Sequence, residues 1–190
     1  MNLNDIANEI KKCKKCPLYK TRRNPVPGAG SSSAKIMLVG EAPGYNEDVE
    51  GIPFVGRAGK FLDELLGRIG IDRKDVFITN IIKCRPPGNR DPTEDEINAC
   101  HSYLDEQIYF LKPKIICTLG RFSMNYILDK YGVSHGSISE EHGKIFEVKN
   151  LLGKFFVIPM YHPAAALYNP QLKNIMEKDF EILKDVMKRL

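Results

Sequence analysis

One segment constrains the fold of this chain more than any other. It runs from Lys35 to Gly59, KIMLVGEAPGYNEDVEGIPFVGRAG, where an apolar run breaks into a tight Gly- and Pro-containing turn that carries one carboxylate, Glu41. A short apolar run such as Ile36 to Val39 reads as a buried parallel strand, and the Gly40 to Gly44 turn lets backbone N–H groups approach a ligand closely. Ligands gather at such strand ends in α/β sheets. Taken alone, the segment reads equally well as an ordinary strand-to-loop turn with a solvated Glu41.

Three further apolar runs end in polar or Gly-rich punctuation: Val76 to Thr79 before Asn80, Ile115 to Leu119 before Gly120 and Arg121, and Phe155 to Ile158 before His162. Helical periodicity lies between them, with Phe61, Leu62, Leu65, Leu66 and Ile69 on one face and Ile97, Leu104, Ile108 and Leu111 on another. Strands alternating with helices predict a three-layer α/β/α sandwich around a mostly parallel four-stranded sheet. In such a sheet Glu41, Asn80, Arg121 and His162 emerge together at the carboxyl edge.

A chain of 190 residues with 43% hydrophobic residues suits one domain, 1–190, with an N-terminal arm of residues 1–34. No run approaches the roughly 18 apolar residues of a membrane span, and the N-terminus is polar. The expectation is a soluble, cytoplasmic monomer. A net charge of +4 is compatible with a polyanionic partner without requiring one. Gly28 to Ser33 reads as a linker into the first strand, and Gln171 to Leu190 as a final helix packing through Ile175, Phe180, Ile182, Leu183 and Met187.

The cysteines are the second strong signal. Cys13 and Cys16 form a Cys-x-x-Cys within a lysine-rich segment, and Cys84 and Cys100 flank the RPPGNRDP loop. Without an export signal, a metal or cluster explains them better than disulfides. Four thiolates suit zinc or an iron-sulfur cluster, and the wide split of the second pair favours the cluster. Asp91, Pro92 and Glu94 suit the N-cap, N1 and N3 positions of a helix that carries Cys100. Cys117, inside an apolar run, reads as a small core residue. A structural staple, joining the arm to the loop after the second strand, is the simplest use of four such ligands.

GEAPG at 40 to 44, PFVGRAG at 53 to 59, TNIIKCRPPGNRDP at 79 to 92, LGR at 119 to 121 and HPAAAL at 162 to 167, together with the four cysteines, resemble the family 4 uracil-DNA glycosylases, the thermostable iron-sulfur type. The resemblance spans nearly the whole chain, with the motifs in the same order. It implies a monofunctional repair enzyme that flips uracil out of single- or double-stranded DNA, hydrolyses its N-glycosidic bond and carries one 4Fe-4S cluster on Cys13, Cys16, Cys84 and Cys100. Phe54 is similar to the stacking aromatic of that family, and Asn80 to its uracil reader. The amide of Asn80 offers a donor and an acceptor, complementary to O4 and N3–H of uracil. Gly40 and Ala42, which flank Glu41, are expected to line the base site. Glu47 matches the residue that closes the pocket beside C5 and so excludes thymine, although it also belongs to an acidic trio with Asp48 and Glu50. His162 resembles the donor to uracil O2, and Glu41 the carboxylate that orients water and faces the sugar cation.

DNA contact is expected mainly from Arg85, Arg90 and Arg121, with Lys11, Lys12, Lys14 and Lys15 reading as a solvated face. HPAAAL resembles the segment that enters the minor groove, with Leu167 or Tyr168 as its wedge. Sliding-clamp or repair partners leave no sequence signal. Two other classes fit the same chain: a non-catalytic uracil reader, against which stand Glu41 and His162, and an α/β hydrolase of small nucleosides or nucleotides, against which stand the RPPGNR and HPAAAL segments.

Overall fold

A computed structural model of the chain describes residues 2–150 and 153–190. In chain order its elements are α1 (Leu3–Lys12), β1 (Ala29–Gly30), β2 (Ile36–Gly40), α2 (Tyr45–Glu50), α3 (Arg57–Arg68), β3 (Phe77–Asn80), α4 (Glu94–Leu111), β4 (Ile115–Leu119), α5 (Arg121–Lys130), α6 (Ile138–Glu141), β5 (Phe146–Asn150), β6 (Gly153–Met160), α7 (Ala165–Tyr168) and α8 (Gln171–Met187).

The sheet has six strands in the order β1-β3-β2-β4-β6-β5. The four apolar runs form the parallel centre, β3-β2-β4-β6. The expected count of four is corrected by two antiparallel edges, β1 on β3 and β5 on β6. Gly28 to Ser33 is therefore not merely a linker, because Ala29 and Gly30 pair with Ile78 and Phe77. Two small residues carry no apolar pattern that would mark them as a strand.

Alternation along the strands sends side chains to two cores. Met37 and Val39 of β2 join Ile6 and Ile10 of α1, Leu104 and Ile108 of α4 and Ile127 of α5 on one face. Leu38 joins Leu62, Leu65 and Leu66 of α3 and Phe180 and Leu183 of α8 on the other. This is the expected three-layer arrangement. Truncating one of these buried leucines to Ala would cost about 2–5 kcal/mol. In α8 the buried apolar face is Met176, Phe180, Leu183 and Val186, whereas Met187 is exposed.

The cap of α4 differs from the expectation. Thr93, not Asp91, is the N-cap: its hydroxyl accepts from the Glu96 N–H while Glu96 accepts from the Thr93 N–H. That reciprocal box satisfies two otherwise orphaned amides. It frees Asp91 to pair with Arg121 at 2.5 Å. Cys100 does lie on α4, and Cys117 lies in the core on the opposite face of the sheet from Cys84 and Cys100. No helix among the described residues is long and apolar enough to cross a membrane.

Candidate active site at the carboxyl edge of the sheet

Parallel pairing places Gly40 opposite Asn80, so the turn after β2 and the end of β3 meet at one edge. The missing side chain of Gly40 is what permits the next contact. A Cβ there would stand 2.4 Å from Asn80 Oδ1 and 2.7 Å from the Phe54 ring. Phe54 lies beside His162, their ring centroids 5.4 Å apart and their planes 28° from parallel. Asn80, Phe54 and His162 thus converge from three distant segments.

Phe54 holds a left-handed backbone conformation, φ 52°, which costs a bulky residue about 1–3 kcal/mol and persists only where the surroundings impose it. Three contacts impose it. Arg73 donates to the Phe54 carbonyl at 2.8 Å and to the Pro53 carbonyl, and is itself paired with Asp63 at 2.8 Å. Glu47, on α2, accepts from the N–H groups of Val55 and Gly56 at 3.0 and 2.9 Å, which ties the same loop from the other side. Gly59, in the first turn of α3, packs so tightly that a Cβ there would fall 1.8 Å from the Phe54 oxygen. Of the acidic trio, Asp48 is buried and Glu47 is engaged, while Glu50 is exposed.

Asn80 is almost fully buried, and its Oδ1 has no hydrogen-bond partner among the described residues. A buried carbonyl oxygen without a donor is uncommon and costly, and this one adjoins the Phe54 ring. His162 has a defined tautomer. Its Nδ1 accepts from the Ala164 N–H at 3.1 Å, so the proton of the neutral ring resides on Nε2. Burial pushes its pKa down to about 4, against a weaker opposing pull from Glu47. The ring is therefore neutral at ordinary pH and presents one N–H donor.

Glu41 follows Gly40, and Ala42 follows it, half-buried, in the same turn. Burial raises the Glu41 pKa to about 7, with Asp91 adding to the effect and Arg121 opposing it. Arg121 is spent largely on Asp91, and Arg90 forms a two-pronged pair with Glu96 at 2.9 and 2.7 Å. Arg85 has no carboxylate partner among the described residues; its Nε donates to Asn89 at 2.6 Å. Leu167 and Tyr168 sit on α7, five and six residues past His162, with Tyr168 89% exposed against 36% for Leu167. A groove beside Leu167 is lined by Arg57, Lys60 and Lys173.

Cys13, Cys16, Cys84 and Cys100 form no disulfides with one another and line one small cavity with Arg22, Lys83 and Tyr103. Three N–H groups point at their sulfurs: Arg22 Nη1 to Cys84 at 2.9 Å, the Lys83 amide to Cys100 at 3.3 Å and the Lys15 amide to Cys13 at 3.5 Å. Burial raises the pKa of Cys16, Cys84 and Cys100, the last to about 11. Among the described residues, no three candidate ligands are drawn close enough together to hold a single metal ion.

Between this cavity and the active edge lies Lys83, fully buried. Its Nζ donates to Thr79 Oγ1, the Asn80 carbonyl and Gln107 Oε1 at 2.7, 2.7 and 2.8 Å. Three acceptors match the three hydrogens of an ammonium, although burial lowers the pKa to about 7. Arg22, Arg73 and Lys83 were not foreseen from the sequence. Each acts on residues that only the tertiary fold brings near or, for Lys83, through a burial that a lone lysine does not advertise.

The model of the uracil DNA glycosylase superfamily matches residues 27–185. The chain is 54% identical to a type-4 uracil-DNA glycosylase of Saccharolobus solfataricus, across 98% of this chain and 87% of that protein. It is 49% identical to the type-4 enzyme of Archaeoglobus fulgidus, across 95% and 90%, and 41% identical to that of Thermotoga maritima, across 97% and 94%.

Proposed function

The chain belongs to the uracil DNA glycosylase superfamily, and from that membership and the pocket geometry we propose that it excises uracil from DNA by hydrolysing the N-glycosidic bond, leaving an abasic site. The observation that carries this reading is the unpartnered Oδ1 of Asn80, buried beside Phe54 and a neutral His162. A base inside a duplex must be extruded to reach such a pocket. There the Phe54 ring stacks on its face, and the Asn80 amide accepts from N3–H and donates to O4. Cytosine presents the reversed pattern. Glu47, held by two amides, closes the wall beside C5, where the methyl group of thymine would clash.

Bond cleavage sends charge onto O2 of the departing uracil and makes the sugar oxocarbenium-like. The Nε2–H of His162 is a preorganised donor for that charge and needs no proton transfer. Glu41, as a carboxylate, orients water and stabilises the sugar cation. Arg85 neutralises phosphate directly, Arg90 and Arg121 do so as phosphate competes with Glu96 and Asp91 for them, and Leu167, with Tyr168 beside it, fills the gap left by the base.

Cys13, Cys16, Cys84 and Cys100 would hold one 4Fe-4S cluster. Four thiols lining one cavity, with N–H donors aimed at the sulfurs of Cys13, Cys84 and Cys100, suit a cluster, because such donors stabilise the thiolate form that ligates. The group supplies a structural staple, fastening residues 1–34 to the rest of a single domain, 1–190. The purified protein is expected to be brown and to absorb near roughly 400 nm. Zinc at unit stoichiometry without iron would overturn the ligand assignment.

The test is excision from a labelled oligonucleotide containing uracil, run beside free deoxyuridine. Release of uracil from DNA alone supports the proposal. Release only from the nucleoside would favour a small-molecule hydrolase, and tight binding without release a non-catalytic reader.

A further inference from the structure

Four arginines lie on the segments around Tyr45 and the start of α4 and α5, and the structure treats them in two ways. Arg90 and Arg121 are neutralised by Glu96 and Asp91. Arg23 and Arg85 have no carboxylate partner among the described residues, yet both lie over one aromatic ring: the guanidinium carbons of Arg23 and Arg85 are 5.7 and 5.2 Å from the centroid of Tyr45. That ring is 52% exposed. Tyr45 opens α2, the helix that carries Glu47, and so stands within one turn of the pocket wall.

The backbone under this cluster is fixed from three sides. The Arg23 N–H donates to buried Asp48 Oδ1 at 2.9 Å, and Asn24 Nδ2 bonds the carbonyls of Asp48 and Val49, each at 2.9 Å, which ties the N-terminal segment to α2. Arg22 bonds Cys84 Sγ and the Cys13 carbonyl, both at 2.9 Å, so its neighbour Arg23 is anchored at the cysteine cavity as well. Arg85 follows Cys84 directly. Two like charges gathered on one ring repel each other, and an anion between their free N–H edges relieves that repulsion. A guanidinium edge fits phosphate oxygens geometrically, and stacking on the ring orients it in advance.

We propose that Arg23, Tyr45 and Arg85 form a preorganised clamp for the backbone phosphates beside the extruded nucleotide, with the tyrosine ring as the support that aims both guanidinium groups. The clamp rests on the uracil-DNA reading of the pocket. It adds Arg23 and Tyr45 to the DNA surface and gives the cysteine centre a second task, which is to hold Arg22, and through it Arg23, in register with Arg85.

The test is binding by fluorescence anisotropy to an oligonucleotide carrying 2′-fluoro-2′-deoxyuridine, which resists cleavage, over a series of potassium chloride concentrations. Each lost phosphate contact flattens the slope of log affinity against log salt by about one and weakens binding roughly 5- to 10-fold near 0.1 M salt. R23Q and R85Q should each do so, while R68Q, remote on α3 and paired with Glu177, should not. Y45L, which changes no charge, should weaken binding about threefold, and Y45F should restore it. Single-turnover excision at saturating enzyme should be unchanged in R68Q. Wild-type slope and affinity in R23Q, or a Y45L variant that binds as wild type, would overturn the clamp. A wild-type protein that shows the expected salt slopes but releases no uracil would defeat the glycosylase reading and leave the clamp standing.

Discussion

Thr79 and Asn80 are adjacent on β3, both buried, and they face opposite sides of the sheet. Behind Thr79, hydrogen bonding is saturated: Lys83 reaches three acceptors, Thr79 donates to the Pro27 carbonyl at 3.1 Å, and Gln107 Nε2 donates to the same carbonyl at 2.6 Å. In front, Asn80 Oδ1 has no partner among the described residues. An unsatisfied buried acceptor costs about 1–3 kcal/mol, so the saturated side offers the protein stability and the unsaturated side offers a ligand affinity. The same strand end does both because Lys83 grips the Asn80 carbonyl while leaving the amide free.

Variants on the two faces should separate these roles. The largest effect belongs to Asn80→Asp. A carboxylate cannot donate to O4 and repels it, a loss of about 4 kcal/mol, or roughly a thousandfold in uracil excision, with the fold retained. Discrimination against cytosine should weaken in the same variant. Wild-type cleavage of uracil would show that the empty acceptor has no part in recognition. Next is His162→Ala, which removes a donor that matters most as charge develops; single-turnover cleavage should slow by roughly a hundredfold while DNA affinity changes little.

Third is pH. In the proposed mechanism Glu41 acts as a carboxylate, and burial raises its pKa to about 7, so the single-turnover rate should rise about tenfold per unit below that value and level off above it. His162, with a pKa of about 4, stays neutral across the window and adds no falling limb. Asp91→Asn removes a charge that raises the Glu41 pKa and frees Arg121, so the limb should move to lower pH. Glu41→Gln should abolish the limb and leave a slow, flat profile. A rate that falls as pH climbs from 5 to 7 would instead demand a protonated group.

The smallest effect on chemistry, and the largest on folding, is expected from Lys83→Met. Stripping the donor from Thr79, Gln107 and the Asn80 carbonyl should lower the unfolding free energy by about 3 kcal/mol, measured by urea denaturation, while the preference for uracil over cytosine survives. Should that preference collapse while stability holds, the two faces would not be separable.

Much of this arrangement was legible in the sequence. The four parallel strands announce themselves as apolar runs ending in Gly40, Asn80, Gly120 and the approach to His162, because burial on both faces leaves no polar alternation to confuse. Edge strands are different. β1 is two small residues, and Phe146–Asn150 buries only Val148, so neither carries a pattern strong enough to read. Thr93 and Asp91 are both good caps by residue type, and Glu96, three residues past Thr93, decides for Thr93 by closing the capping box, while Asp91 pairs with Arg121. Asn80, Phe54, His162 and Glu41 stood out because they sit in ordered motifs. Arg73 did not, since it reaches back 19 and 20 residues to carbonyls whose need for a donor arises only from the left-handed turn at Phe54.

That turn bears on timing. With Phe54 fastened by Arg73, Glu47 and the close packing of Gly59, the aromatic wall stands in place before any nucleotide arrives, and no loop has to shut on it. Delay is then confined to the DNA, in the opening of the base pair. Uracil opposite guanine, a weaker pair, should be removed faster than uracil opposite adenine, and the difference should vanish on single strands, where there is no pair to open.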